Sequence, residues 1–435
     1  MHLSKTLVQT VIHPIQFYAG LHKKFMKNKG TVIVVGGSLA GLLCANILFR
    51  NGWNVRVYER SSGLDGRGAG IATHDELFKA MRLAGAKVDE MLGIQIKGRS
   101  VFGKDGEEIC HYSYPQILTS WGLLYKRLLN IFPEKLYIKG KDVVDVRDDP
   151  IRPEIFFSDG SSDGADLIVG CDGYWSSIRS KCAPEAIPKY AGYVAWRGLI
   201  PENMVTQSFA KEFGPLHAFY LGDSHQFVHF AVAGSDDSID LGSRRFSFLW
   251  YVPFTNDQLK DLLTGSDGVV YSNGIPPSKI QVKHIDKLKN DAREILPDIF
   301  SNTVCKTDQP FVQPIYDLLS PRIAFQRVVL AGDAAFIARP HVGAGVAKAG
   351  GDAMELANCL EQSSSYTEAL QNYQDRRSVF GNSIVKLGAK LGEYLTEPEI
   401  DTTRARQLSP ERLIRSVAMP IHLIAEDELF DIFNI

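Results

Sequence analysis

From Thr31 onward, short unbroken apolar runs alternate with glycine turns and longer amphipathic stretches. That pattern predicts buried parallel strands joined by helices. Thr31-Val-Ile-Val-Val35 is the first such run, and Gly36-Gly-Ser-Leu-Ala-Gly41 is the turn after it. A helix over Leu42 to Phe49 stops near Asn51-Gly52, and Asn54-Val-Arg-Val-Tyr-Glu59 closes a strand–helix–strand unit. Further on, Glu154 to Ser158, a turn at Asp159-Gly160 and Asp166 to Gly170 read as a hairpin-like pair. Arg327-Val-Val-Leu-Ala331 reads as another buried strand, followed by a glycine-rich loop and a helix from about Gly345 to Leu360.

Between Pro188 and Phe311 the period changes. Tyr193 to Leu199, Gln226 to Val232 and Phe246 to Val252 are aromatic and alternating, as strands with one buried face would be. The simplest parse is an α/β fold whose Rossmann-type nucleotide-binding domain is discontinuous and carries a strand-rich inserted domain. The expected division is a basic extension at 1–30, the nucleotide-binding domain at 31–187, the insert at 188–311, the rest of the first domain at 312–395, and a helical C-terminal tail at 396–435.

Composition narrows the class. A chain of 435 residues with 45% hydrophobic and 23% charged residues has the make-up of a soluble globular protein. Its net charge of −2 gives no reason to expect nucleic acid as a partner. The six cysteines are widely spaced, with no CxxC or zinc-ligand pattern, so no metal site is expected and a reducing, cytoplasmic setting is. The first thirty residues hold five lysines and no acid. Their apolar stretch, Leu7 to Leu21, is broken by His13, Pro14 and Gln16 and is too short to span a bilayer. A flexible or interfacial extension is the preferred reading. Organelle targeting is the alternative, against which the segment's lack of arginine counts.

Three motifs carry the candidate chemistry. Gly36-x-Ser38-x-x-Gly41 stands where a dinucleotide fingerprint belongs, with Ser38 in place of the central glycine. Glu59 ends the second strand 18 residues after Gly41, placed to accept from a ribose 2′-hydroxyl. A carboxylate there would repel a 2′-phosphate, so the site suits FAD or NAD over NADP. The second motif is Gly170-Cys-Asp-Gly-Tyr-Trp-Ser-Ser-Ile-Arg179, which alone would be an ordinary Asp-Gly turn. The third runs from Gly332-Asp333 to Gly343-Ala-Gly345 and aims a helix N-terminus at negative charge. All three follow apparent parallel strands, in an order that chance does not readily produce.

Together the motifs resemble the class A flavoprotein monooxygenases, the para-hydroxybenzoate hydroxylase-like enzymes. Gly170-x-Asp172-Gly173-x-x-Ser176-x-x-Arg179 matches that family's second FAD motif, which also serves NAD(P)H. Gly332-Asp333, Pro340, Gly343, Ala344 and Gly345 match the third, and Asp352-Ala353 continues it. Tyr190 to Glu202 and Ala338 to His341 look most like the 2,6-dihydroxypyridine 3-monooxygenase branch. The resemblance covers about residues 31 to 390. It implies FAD held by Gly36, Ser38, Gly41, Glu59, Arg67, Asp172, Gly173, Arg179, Gly332, Asp333, Pro340, Gly343, Ala344 and Gly345. Departures from the family are Phe336 for His, Ala347 for Asn, and Trp121 for an Arg.

The same resemblance implies a flavin C4a-hydroperoxide, formed with NADH or NADPH and O₂, that hydroxylates a small aromatic or N-heteroaromatic substrate. A homodimer is compatible with it. The alternatives are an epoxidase or reductase on the same fold, or an FAD-binding protein without turnover. Residues 192–197 lack the halogenase pattern. No catalytic base stands out. His74, close after Arg67-Gly-Ala-Gly70, and His217, Tyr220 and His229 in the insert are the candidates, with Trp250 and Tyr251 as further lining residues.

Overall fold

The computed structural model describes residues 29–63, 70–395 and 409–418. Arg67, most of the basic extension and most of the tail lie outside them. Five parallel strands form the first sheet, in the order Val328–Leu330, Leu167–Gly170, Thr31–Val35, Asn54–Glu59 and Tyr137–Lys139. The run Val32 to Val34 is wholly buried, which is why it reads as continuous apolar sequence. Helices Leu39–Arg50, Gly345–Gln362 and Tyr366–Leu391 bury Leu42, Leu43, Leu356, Leu370 and Ile384 in the same core.

Leu167–Gly170 corrects the hairpin expectation. Glu154–Phe157 pairs instead with Ser162–Gly164 and Val143–Arg147 in a separate small sheet. Leu167, Ile168 and Val169 are fully buried, and so occupy an inner position of the parallel sheet rather than a half-exposed ribbon. The first helix also starts three residues earlier than the apolar run suggests, at Leu39, because Ser38 is its N-cap residue.

The second sheet has nine strands and is larger than residues 188–311. Gly70–Ala72, Ile94–Phe102 and Glu108–Ser120 enter it from one side of that range, and Phe311–Leu319 and Phe336–Ile337 from the other. Its inner strands, Lys189–Pro201, Arg245–Pro253 and His225–Val232, contain the three alternating runs. Alternation divides the sheet into two faces. Val194, Trp196, Phe227, Phe246, Phe248 and Trp250 bury one face under helices Gln207–Phe213, Asn256–Leu262, Val282–Ile295 and Asp298–Cys305. Tyr193, Ala195, Phe219, Val228, Phe230 and Tyr251 form the other face, with Leu413, Ile414 and Val417 of the C-terminal Pro410–Ser416 helix.

Candidate functional site

Three adjacent parallel strands bring the three motifs together. Thr31–Val35, Leu167–Gly170 and Val328–Leu330 release their turns at one carboxyl edge, where open α/β sheets bind ligands. Contacts tie the turns to one another. Gly36 has φ +96°, and a Cβ there would lie 2.5 Å from the Cys171 carbonyl oxygen. A Cβ on Gly332 would lie 2.7 Å from that of Ala40. One on Gly41 would lie 1.8 Å from the Gly36 oxygen, so the helix starts directly against its own turn. The Ser38 side chain makes no capping bond, which leaves first-turn N–H groups for an anion.

Glu59 is buried beside this turn. Its Oε2 accepts from the Gly37 N–H at 2.8 Å and its Oε1 from the Ser61 N–H at 2.9 Å. Each carboxylate oxygen keeps acceptor capacity for a hydroxyl. Tyr137, which the sequence reading missed, donates its hydroxyl to the Gly37 carbonyl at 2.8 Å and closes the floor of the turn.

In the second motif the polar groups face inward. Asp172 accepts from the Ser176 hydroxyl at 2.6 Å and the Ile178 N–H at 3.2 Å. Arg179 is 2% exposed. Its guanidinium donates to the carbonyls of Ala186 at 3.1 Å, Ala334 at 3.1 Å and Tyr174. It is a clamp between the second motif and the third, and this geometry offers nothing to a nicotinamide cofactor. Burial lowers its pKa.

The third motif ends in a cluster of charges. Asp333 follows Gly332 with its side chain 39% exposed. Partial burial raises its carboxyl above the ordinary value, while Lys348 pulls the other way. Lys348 is 0% exposed in the first turn of the Gly345–Gln362 helix, with Nζ 3.6 Å from Asp333 and 3.9 Å from Asp352. Asp352 accepts from the Gly332 N–H at 2.9 Å and from Arg377 Nε at 2.7 Å. The loop before that helix has a short turn at Pro340–Val342, then Gly343 and Ala344. His74 Nε2–H donates to the Gly343 carbonyl at 2.9 Å, and the Ala418 N–H donates to that of Val342 at 3.1 Å. Burial lowers the His74 pKa, so it serves this loop as a neutral donor.

The candidates in the insert separate by face. His217 and Tyr251 lie on the face toward the nucleotide-binding domain. Tyr220, His229 and Trp250 point the opposite way, under the helices. His229 sits among Phe209, Phe246 and Phe300 with neither ring nitrogen bonded, and burial lowers its pKa to about 3. As catalytic candidates His229 and Tyr220 are corrected to core residues. The face toward the first domain instead joins Tyr193 to His341, Oη to Nε2 at 2.8 Å, with the Tyr251 ring 4.2 Å from the imidazole. Burial holds His341 near pKa 3 and pushes the Tyr251 phenol up to about 12. Arg197 lies on the same strand and face as Tyr193, two alternations along. It is 8% exposed, has no hydrogen-bond partner among the described residues, and lies near Tyr174 and Tyr251.

Comparison with known proteins gives the chain a chemistry. Residues 190–317 match the family model described as FAD binding domain-like. The 2,6-dihydroxypyridine 3-monooxygenase of Paenarthrobacter nicotinovorans is 29% identical over 84% of this chain and 91% of its own. The 6-hydroxynicotinate 3-monooxygenase of Pseudomonas fluorescens is 24% identical over 79% and 86%. The solved 2,6-dihydroxypyridine-3-hydroxylase from Arthrobacter nicotinovorans superposes with a TM-score of 0.80 at 27% identity, covering 86% of this chain and 95% of that one. The curated relatives are FAD-dependent monooxygenases, and this chain is an enzyme of the same kind. As such an enzyme, it uses FAD.

This monooxygenase departs from the wider family in ways its packing explains. Phe336 is fully buried and fills the space that Gly381 leaves on the Tyr366–Leu391 helix, so it is core. Trp121 stacks on Tyr125 at 4.8 Å. Of the residues missed from sequence, Lys348 left a signal: a lone cation in the small-residue first turn of a helix, where the dipole disfavours one. Tyr193 and His341 lay inside segments noted for resemblance, without a role. No helix among the described residues is long and apolar enough to cross a membrane.

Proposed function

We propose that this monooxygenase hydroxylates a small aromatic or N-heteroaromatic ring that already carries a hydroxyl, at the expense of NAD(P)H and O₂. The observation that carries the proposal is the polar–aromatic face of the nine-stranded sheet. Tyr193, Tyr251 and His341 meet there beside the Pro340–Gly345 loop, with an unpaired arginine on the same face. The flavin, when bound, supplies the electron transfer from NAD(P)H and the activation of O₂.

Fit to FAD is tested by the turn itself. The glycine turn admits backbone but no Cβ, the Leu39–Arg50 helix offers its first-turn N–H groups, and Lys348 is a buried ammonium with no hydrogen bond. These suit a pyrophosphate flanked by hydroxyl-bearing chains. Gly36, Ser38 and Gly41 would hold the pyrophosphate, Glu59 the adenosine ribose, and Asp333 the ribityl hydroxyls. The Gly343 N–H is already donated to the Pro340 carbonyl at 2.8 Å, so Ala344 and Gly345 would offer theirs to the flavin ring. His74 fixes that loop through the Gly343 carbonyl.

The protein's own part is positioning and charge. Arg339 is held by Asp317, through Nε at 3.0 Å and Nη2 at 2.7 Å, and so fixes the backbone entering Pro340 and His341. Phe219, Phe230 and Leu249 dry the face of the sheet. Burial keeps Tyr193 protonated and His341 neutral, so the proton they share stays between Oη and Nε2 and neither group takes one from substrate. Arg197 provides the positive charge that favours the ionised form of a ring hydroxyl, the form that best donates electrons to an electrophilic oxygen.

The test is NADH and NADPH oxidation with O₂ uptake against hydroxypyridines, phenols, unsubstituted aromatics and alkenes, with product analysis. Hydroxylated product matched to NAD(P)H consumed is the expected result. Oxygenation of alkenes alone would make it an epoxidase, and H₂O₂ as sole product with every hydroxylated ring would refute the substrate class.

A further inference from the structure

The four charges behind the third motif are unequally satisfied. Asp352 already has the Gly332 N–H at 2.9 Å and Arg377 Nε at 2.7 Å. Lys348, by contrast, is fully buried and its Nζ makes no hydrogen bond. Its nearer carboxylate is Asp333, at 3.6 Å. Lys348 is the one cation within ion-pair distance of Asp333 among the described residues. A buried ammonium is costly unless it is paired, and a pairing partner that keeps accessible surface points to a ligand there. The site for Lys348 is also unfavourable locally, since the first turn of a helix carries positive potential.

We propose that Lys348 is a positioning residue for the cofactor, holding the Asp333 carboxylate ionised and in place to receive FAD. With Lys348 and Arg377 against Asp333 and Asp352, the cluster sums to zero charge behind the third motif. Without Lys348 it carries one uncompensated negative charge there. The groups that bear on Asp333 are Lys348 and Asp352 on the Gly345–Gln362 helix, Arg179 on the Ser177–Cys182 helix, and Tyr174 in the loop before it. Arg377 bears on it only through Asp352. Of these, Lys348 is the nearest positive charge. The proposal rests on the assignment of Asp333 to the cofactor.

The experiment is FAD binding to apo-protein by quenching of flavin fluorescence, from pH 5.5 to 9, in wild type, Lys348→Met, Asp333→Asn and the double variant. Ionised Asp333 binds, so affinity falls as pH drops through its pKa. Loss of a partner cation at this distance raises a carboxyl pKa by about 1–3 units. Lys348→Met should therefore bind FAD about ten- to hundred-fold more weakly at pH 7 and recover toward pH 9. Asp333→Asn should bind weakly at every pH, and the double variant should match it. Lys348→Gln is the second variant should Lys348→Met fail to fold, with the same pH signature expected. A flat pH profile in the lysine variant, or losses that add in the double variant, would make Lys348 structural only. Wild-type affinity in Asp333→Asn would overturn the proposal along with the site assignment, but not the need for FAD.

Discussion

Arg179→Met tests whether the second motif works inward or outward. In the structure the guanidinium spends its donors on the carbonyls of Ala186, Ala334 and Tyr174, with Gly173 at 3.5 Å as a fourth, weaker acceptor. Hydrogen bonds from a charged donor contribute about 1.5–3 kcal/mol each, so three set an upper bound of about 4.5–9 kcal/mol. Burial of the cation works against this, as its lowered pKa records. Each buried carbonyl left without its donor costs about 1–3 kcal/mol.

Ala334 adjoins Asp333, so the loosened loop should also release FAD more easily. Urea unfolding of the apo-protein, followed by tryptophan fluorescence, should show a large drop in midpoint. FAD titration should show weaker binding, and anaerobic reduction by NAD(P)H should be normal in variant molecules loaded with FAD. The opposite pattern would refute the clamp: a wild-type urea midpoint with slow reduction would mean the side chain reaches the nicotinamide cofactor.

The other expected outcomes are these. Gly41→Ala, whose Cβ would lie 1.8 Å from the Gly36 oxygen, should abolish FAD retention on gel filtration, while a FAD-loaded variant would contradict the packing. Asp333→Ala should weaken FAD binding about ten- to hundred-fold, and Asp308→Ala, at an exposed position, should not. His229→Phe should be at least as stable as wild type at pH 7.5, because neither ring nitrogen has a partner to lose. It should also lose less stability in acid. With a folded pKa near 3 against an ordinary 6.5, His229 contributes fully above pH 6.5 and loses about 1.4 kcal/mol per unit as pH falls toward 3. Equal urea midpoints for variant and wild type at pH 5, after a match at pH 7.5, would refute this. Heat or acid should free the flavin as FAD, and flavin remaining with the precipitated protein would show a covalent bond.

What was legible in the sequence follows from what is local. Val32 to Val34 and Val328 to Leu330 read as buried strands because both faces of this parallel sheet are covered and apolar. The glycine spacings read correctly because a tight turn and a close helix start are fixed within six residues. Leu167 to Gly170 was misassigned because an apolar run beside an Asp-Gly turn looks the same whether it pairs backward or across the sheet. The helices under the insert were missed while its aromatic strands drew attention, although Ile285, Leu288, Ala292 and Ile295 recur at helical spacing in Val282–Ile295.

Side-chain roles were harder because they depend on which face of a strand meets the other domain. His217 and His229 are the same residue type on adjoining strands, yet one faces the nucleotide-binding domain and the other an aromatic core. That division also constrains the chemistry. Burial depresses the pKa of His74, His217, His229 and His341, so all four are neutral at pH 7 and reluctant to gain a proton. Tyr193 and Tyr251 are held in the protonated form by the same burial. A site so stocked cannot readily remove a proton from an unactivated ring. It suits a substrate whose own hydroxyl is acidic enough to ionise against a fixed cation, and Arg197 is the unpaired cation on that face. The proposed preference for hydroxylated rings therefore has a physical basis in this chain, separate from the names of its relatives.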